Sequence, residues 1–202
     1  MTFGAFALSP FGMKTGKLAI AWVMHRLPHR RTWLKAVHLS MIPLLVWFIF
    51  VTPEDVVPLG PEAFQFHSFL ALIFVTLSLI WMADYLRRGL AGRPGPKLGP
   101  KARILHRVLN TAIVWGLLGV AITGFLLGLT ANRVLFAGGF LPIAPALNMP
   151  EWNHAIGTFH IYEFYLLGVI CTIHGLFHIW RHLHVKDNAL RIMAPKFLHR
   201  FL

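Results

Sequence analysis

Residues 159–180 read FHIYEFYLLGVICTIHGLFHIW, and this stretch decides the fold class. It is long enough and apolar enough to cross a hydrocarbon core about 30 Å thick, which takes about 20 residues of helix. Three more runs of the same kind precede it, Trp33–Val51, Phe64–Tyr85 and Leu105–Leu129, with Phe159–Trp180 as the fourth. A soluble core helix of such length would carry a charged face, and these runs do not. They also explain the composition: 56% of the 202 residues are hydrophobic and 13% charged, against about 25% charged in soluble domains. The expectation is an all-α integral membrane protein, a four-helix bundle of antiparallel transmembrane helices.

The net charge of +12 could point to nucleic acid, but the placement of the charges argues for topology. Basic residues concentrate before the first run (Lys14 to Lys35), between the second and third (Arg87 to Arg107) and after the fourth (Arg181 to Arg200). The other two connections hold one basic residue, Arg133, and the acids Glu54, Asp55, Glu62 and Glu151. The positive-inside rule then puts both termini and the Arg87–Arg107 segment in the cytoplasm. A multi-pass membrane location follows as an expectation, and nucleic acid is excluded as a partner class. Residues 1–32 read as a cytoplasmic or interfacial segment, with Leu18–Met24 an amphipathic surface helix rather than a cleavable signal. Residues 33–202 read as one four-helix domain with a short cytoplasmic tail. Gly92, Pro94, Gly95, Pro96, Gly99 and Pro100 make the connection between the second and third runs a flexible hinge. Cys171 is the sole cysteine, so neither an intrachain disulfide nor a thioether-linked haem is available, and it reads as a small residue in a helix interface.

Twelve histidines are present, several at membrane depth, where an ionisable side chain is a functional hypothesis by default. His25, His29, His182, His184 and His199 lie among basic residues and read as solvated, and His154 as a loop residue. His160 and His174 are fourteen positions apart, about 21 Å along a helix and only about 40° short of four full turns. They therefore share a face at two depths. His38 begins the first run and His67 begins the second, which runs the other way, so depth pairs His38 with His174 and His67 with His160. Two such pairs can each hold a haem iron by two axial imidazoles, an arrangement that leaves no open site for oxygen chemistry and suits electron transfer. His178, one turn beyond His174, competes with it as an iron ligand. His106 is a further alternative, expected to hydrogen-bond a propionate, line a quinone site or face headgroups.

The fourth run and its tail, His160-Ile-Tyr-Glu through His174-Gly-Leu-Phe-His178, then Arg181-His182-Leu183-His184 and Asp187-Asn188-Ala189-Leu190-Arg191-Ile192-Met193, resemble the bacterial cytochrome b561 family. They are also similar to the cytochrome b subunits of nickel hydrogenases and formate dehydrogenases. His67-Ser68-Phe69-Leu70-Ala71 is similar to the family's His-Lys-Ser-Leu-Gly, and Thr123-Gly124 to a Thr-Gly pair of the hydrogenase branch. The resemblance spans about residues 30–196. Departures are Leu39 where Trp usually follows the first histidine, Ser68 in place of lysine, and Phe164 and Tyr165 where small residues are usual.

The resemblance implies a respiratory-chain cytochrome with two haem b groups. It would exchange electrons between membrane quinone and a periplasmic or membrane redox partner protein on the outer face, as an electron-transfer subunit of an oxidoreductase. Two rival expectations stand beside it: a free-standing oxidoreductase fed by a small reductant such as superoxide, and a haem-free accessory subunit whose histidines join helices. The near absence of outer basic residues disfavours attraction of an anion. The outer connection Thr130–Thr158, with Val134, Leu135, Phe136, Phe140 and Leu141, is expected to be ordered, either as a docking surface or as a lid over the outer haem.

Overall fold

The computed structural model describes residues 29–92, 94–194 and 196–200. The proposed surface helix Leu18–Met24 and His25 lie outside them. The chain divides into two units, Met1–Trp33 and Leu34–Leu202. Helix content is 78% and strand content 2%. The elements in order are α1 (Arg30–Phe50), α2 (Pro53–Val56) with a 3-10 turn (Val57–Leu59), α3 (Pro61–Arg88), α4 (Pro100–Thr130), a short hairpin β1 (Phe136–Ala137) and β2 (Leu141–Pro142), and α5 (Pro150–Trp180). A π-helical turn (Arg181–Val185), α6 (Ala189–Met193) and a last 3-10 turn (Lys196–Arg200) follow.

Helices α1, α3, α4 and α5 with its π-helical extension, of 21, 28, 31 and 36 residues, are long and apolar enough to cross a membrane. This is the build of a multi-pass membrane protein. Prolines open α3, α4 and α5, where a missing N–H leaves no intrahelical bond unmade. The large side chains left outside are apolar: Ile42 and Val46 on α1, Leu79 and Ile80 on α3, Ile122 and Phe125 on α4, Leu166 and Val169 on α5. Lipid solvates such faces, whereas water would not. The inward faces meet in one cluster to which every long helix contributes: Met41, Phe74, Leu117, Val120, Phe164 and Leu167. A second cluster, Leu98, Leu109 and Phe177, joins the α3–α4 connection to α4 and α5.

The helices outrun the apolar stretches that announce them. The largest correction is at α5, which starts at Pro150, so His154 is helical rather than a loop residue and the preceding connection is residues 131–149. Polar Glu151, Asn153 and His154 read as loop because a membrane-facing run was sought. Helical backbone bonding does not stop at the edge of an apolar run, and Glu151 lies in the first turn, where a carboxylate favours helix. Asn153 Nδ2 also donates to Leu127 O and Thr130 Oγ1 (2.9 Å each), tying the start of α5 to the end of α4.

The remainder of the connection is ordered. Phe136 pairs with Pro142 and Ala137 with Leu141, and Gly138 and Gly139 turn the hairpin at φ of 63° and 79°. Ser68 anchors it: the Gly138 N–H donates to Ser68 Oγ at 3.0 Å, and Ser68 Oγ donates to Gln65 O at 2.9 Å. Hydrogen bonds tie part of the α3–α4 connection to its surroundings. Lys97 Nζ donates to Lys186 O (3.1 Å), and Arg103 donates to Leu98 O (2.8 Å) and Pro96 O (3.1 Å).

Candidate functional site

His38 on α1 and His174 on α5 line one cavity of ≈ 370 Å³. That volume lies within the roughly 300–1,000 Å³ of small-molecule and cofactor sites. Its wall is apolar along Met41, Leu45 and Leu117, and Trp81, Asp84, Tyr85 and Asn110 add polar groups at one part. Trp81 packs on His38, with ring centroids 6.1 Å apart. Cys171, half-buried, also lines this cavity, so it serves as the small residue expected. Nδ1 of His38 and Nδ1 of His174 are buried without a hydrogen-bond partner. An unsatisfied buried imidazole nitrogen is costly, and two of them beside one cavity mark a place where a ligand would change the balance.

The competing histidines fall beside this cavity, not on its wall. His178 packs on His174 at 4.5 Å between centroids and on His106 at 5.9 Å, and neither His106 nor His178 lines either cavity. His106 does not face headgroups: it is 2% exposed and packs on Phe177.

His67 on α3 and His160 on α5 line a second cavity of ≈ 120 Å³, well below the cofactor range. Aromatic rings account for the difference. Phe48 lies edge-on to His67 (5.1 Å), Phe164 edge-on to His160 (5.2 Å), and Phe48, Phe74 and Phe164 touch one another. None of the lining residues comes from residues 131–149.

His67 and His160 are held differently. Trp47 Nε1 donates to His67 Nδ1 at 3.2 Å. Indole nitrogen is a donor only, so a neutral His67 in this bond carries its proton on Nε2. His160 Nδ1 lies 2.6 Å from Thr123 Oγ1, which in turn donates to Glu163 Oε2 at 2.6 Å. The sequence singled out Thr123 as one half of a Thr-Gly pair but gave Glu163 no role. A lone carboxylate within a membrane run was the available signal.

A third constellation fixes the tail. Arg181 resembles a solvated basic residue by its neighbours in sequence, yet it is 1% exposed. Its Nε and Nη2 donate to Asp187 Oδ2 (2.9 and 2.6 Å), and Asp187 Oδ1 accepts the Ala189 N–H (3.1 Å). A Cβ at position 95 would lie 2.6 Å from Asp187 Oδ2, so Gly95 lets the α3–α4 connection close over the ion pair. Of the histidines expected in solvent, His29 and His184 are exposed, while His182 and His199 are half-buried.

Among the described residues no group of three or more His, Cys, Asp or Glu is arranged to hold a bare metal ion. Axial ligation of a haem iron asks for two. No family model matches the chain, and no curated protein matches it.

Proposed function

We propose that the chain is a membrane cytochrome carrying two b-type haems, which passes electrons between quinone in the bilayer and a redox partner on the outer face. The observation that carries this reading is the pairing of histidines by cavity: His38 with His174 on one, His67 with His160 on the other. Each pair brings together side chains remote in sequence and from different helices, one pair for each axial set. Both termini and the Arg87–Arg107 connection would face the cytoplasm of a bacterial inner membrane, with the four helices alternating in direction. The resemblance of the fourth run to the cytochrome b561 family supports the same assignment.

What supports a haem at the inner pair is a cavity within the cofactor size range, an apolar wall and two unpartnered imidazole nitrogens. The outer pair supplies the donors but not the room. Seating a haem there needs the Phe48 and Phe164 rings to turn away and the Trp47–His67 bond to break, since a neutral imidazole cannot accept at Nδ1 and coordinate through Nε2 at once. Haem held by these imidazoles would supply a one-electron iron couple. The chain's own part is to hold the imidazoles, exclude water with Met41, Leu45, Leu117 and Phe74, and set the electrostatic surroundings.

A redox-titrated optical spectrum of the purified protein, with acid-acetone haem extraction and subunit analysis, tests the proposal. Two extractable haems, reduced by a quinol, are the expected result. The haem-free accessory reading keeps one argument of its own: Trp47–His67 and Thr123–His160 are both interhelical hydrogen bonds, and a spectrum without haem bands would establish it. Haem reduced by superoxide in the absence of any partner would favour the free-standing oxidoreductase.

A further inference from the structure

We infer that the end of the bundle where α3 passes into α4 binds the phosphate of anionic phospholipid through Arg87, Lys101 and Arg107, which stand where the exposed apolar stripes of two helices run out. On α4, Lys101, Val108, Trp115 and Ile122 recur every seven positions and all are exposed, so they lie nearly in line along one face. On α3, Arg87 follows exposed Ile80 by the same interval. Each stripe is apolar along its length and basic at its end. Arg107 adds a second base on α4, and Ile104, 65% exposed, lies one turn from both it and Lys101. An apolar residue between two bases suits the boundary between acyl chain and headgroup, where a long basic side chain reaches outward to a phosphate.

Helix α5 gives the depth of these bases. Trp152, Phe159, Leu166, Ile173 and Trp180 repeat at the same interval and are exposed. From one tryptophan to the other is about 42 Å of helix, the thickness of a bilayer with its interfacial regions, and tryptophan is favoured at both edges. Phe177 stacks on Trp180 at 5.7 Å between centroids and packs on His106 at 6.3 Å. A Cβ at position 92 would lie 3.6 Å from His106 Nε2. The start of α4 and the chain leaving α3 therefore stand level with Trp180, at one edge of the membrane.

Exposed charge at this edge has one sign. The exposed acids among the described residues, Glu54, Asp55, Glu62 and Glu151, belong to the other end of the bundle. Asp84 is 8% exposed, and Asp187 accepts from Arg181 and from the Ala189 N–H. Lys97 and Arg103 donate to backbone carbonyls, whereas Arg87, Lys101 and Arg107 are presented outward. A headgroup with a net negative charge is matched here. The ammonium of a zwitterionic lipid would meet bases and no exposed carboxylate.

The test reconstitutes the full-length protein in phosphatidylcholine vesicles and compares spin-labelled phosphatidylglycerol with spin-labelled phosphatidylcholine by electron paramagnetic resonance. Wild type should hold the phosphatidylglycerol probe at least about fivefold more strongly, the contribution of about one base near a membrane surface. That preference should fall in each of Arg87→Gln, Lys101→Gln and Arg107→Gln, and most of it should be lost in the triple variant. Combined Arg87→Lys, Lys101→Arg and Arg107→Lys should keep it, and so should Arg133→Gln at the other end of the bundle. The single variants carry the test if removing three charges prevents insertion. Equal association of the two probes with wild type, or a preference that the single Gln variants leave unmoved, would overturn the inference. So would displacement of the lipid probe by millimolar glycerol phosphate, which would assign the bases to a soluble phosphate compound. The outcome does not depend on whether the protein binds haem.

Discussion

His38, His67, His160 and His174 differ in what each must give up to bind iron, and that difference predicts an order. The inner pair stands on a cavity of ≈ 370 Å³ with both Nδ1 atoms unpartnered, so a ligand there would break no hydrogen bond of either Nδ1. The outer pair must move Phe rings and release Trp47. His38→Ala and His174→Ala are expected to abolish one haem signal in low-temperature difference spectra, and His67→Ala and His160→Ala the other. Under graded haem limitation the His38/His174 signal should fill first. Loss of haem on His178→Ala with retention on His174→Ala would move the ligand by one turn. Trp47→Phe removes a donor that, on the di-haem proposal, would compete with iron for His67. It should tighten outer haem retention while costing the haem-free protein about 1–3 kcal/mol for the buried imidazole nitrogen left unpaired. Looser retention in Trp47→Phe would mean that Trp47 supports the ligand instead of competing with it.

At the scale of elements, the hairpin between α4 and α5 shows how a connection can be both ordered and exposed. Ser68 of α3 holds it by accepting the Gly138 N–H, yet Phe136 and Phe140 are 45% and 65% exposed. Holding an apolar pair in that position costs solvation unless a partner or the lipid surface covers it. Phe136→Ser with Phe140→Ser is therefore expected to weaken association with a co-purifying redox subunit about tenfold or more, with both haem spectra unchanged. A shifted spectrum of the His67/His160 haem, with association intact, would reject the docking role. The sequence named these residues correctly as the conspicuous ones in the connection. It missed Ser68 as their anchor because serine there was read only as a lysine lost from a family motif, and a hydrogen bond to Gly138, seventy positions away, has no local signature.

For the whole molecule the open question is which side each connection faces. Eighteen of nineteen basic residues lie on alternate segments, and the expected result is that reporters on the 51–60 and 89–99 connections label from opposite sides. Introduced cysteines, in a background with Cys171 replaced by alanine, are best placed at Leu59, which is 75% exposed, and at Gly99, where a side chain meets nothing within 4 Å. Gly95 would disturb the Arg181–Asp187 ion pair and Gly60 has a φ of 108°, so neither is a neutral site. Labelling of both from one side would reject four alternating spans. What the sequence by itself determined was the helical, membrane-spanning class, because apolar length and composition are local properties of the chain. Uniform helical rise also let it pair His38 with His174 and His67 with His160, and each of these pairs lines one cavity. The tertiary structure decided what local periodicity cannot encode: the room left at each pair, the hydrogen-bond partners of His67 and His160, and the burial of His106 and Arg181. Those depend on side chains brought from other helices. Phe48 comes from α1, Trp47 reaches His67 across α1 and α3, and Thr123 reaches His160 across α4 and α5. Only close packing of the four helices puts those groups within hydrogen-bonding distance.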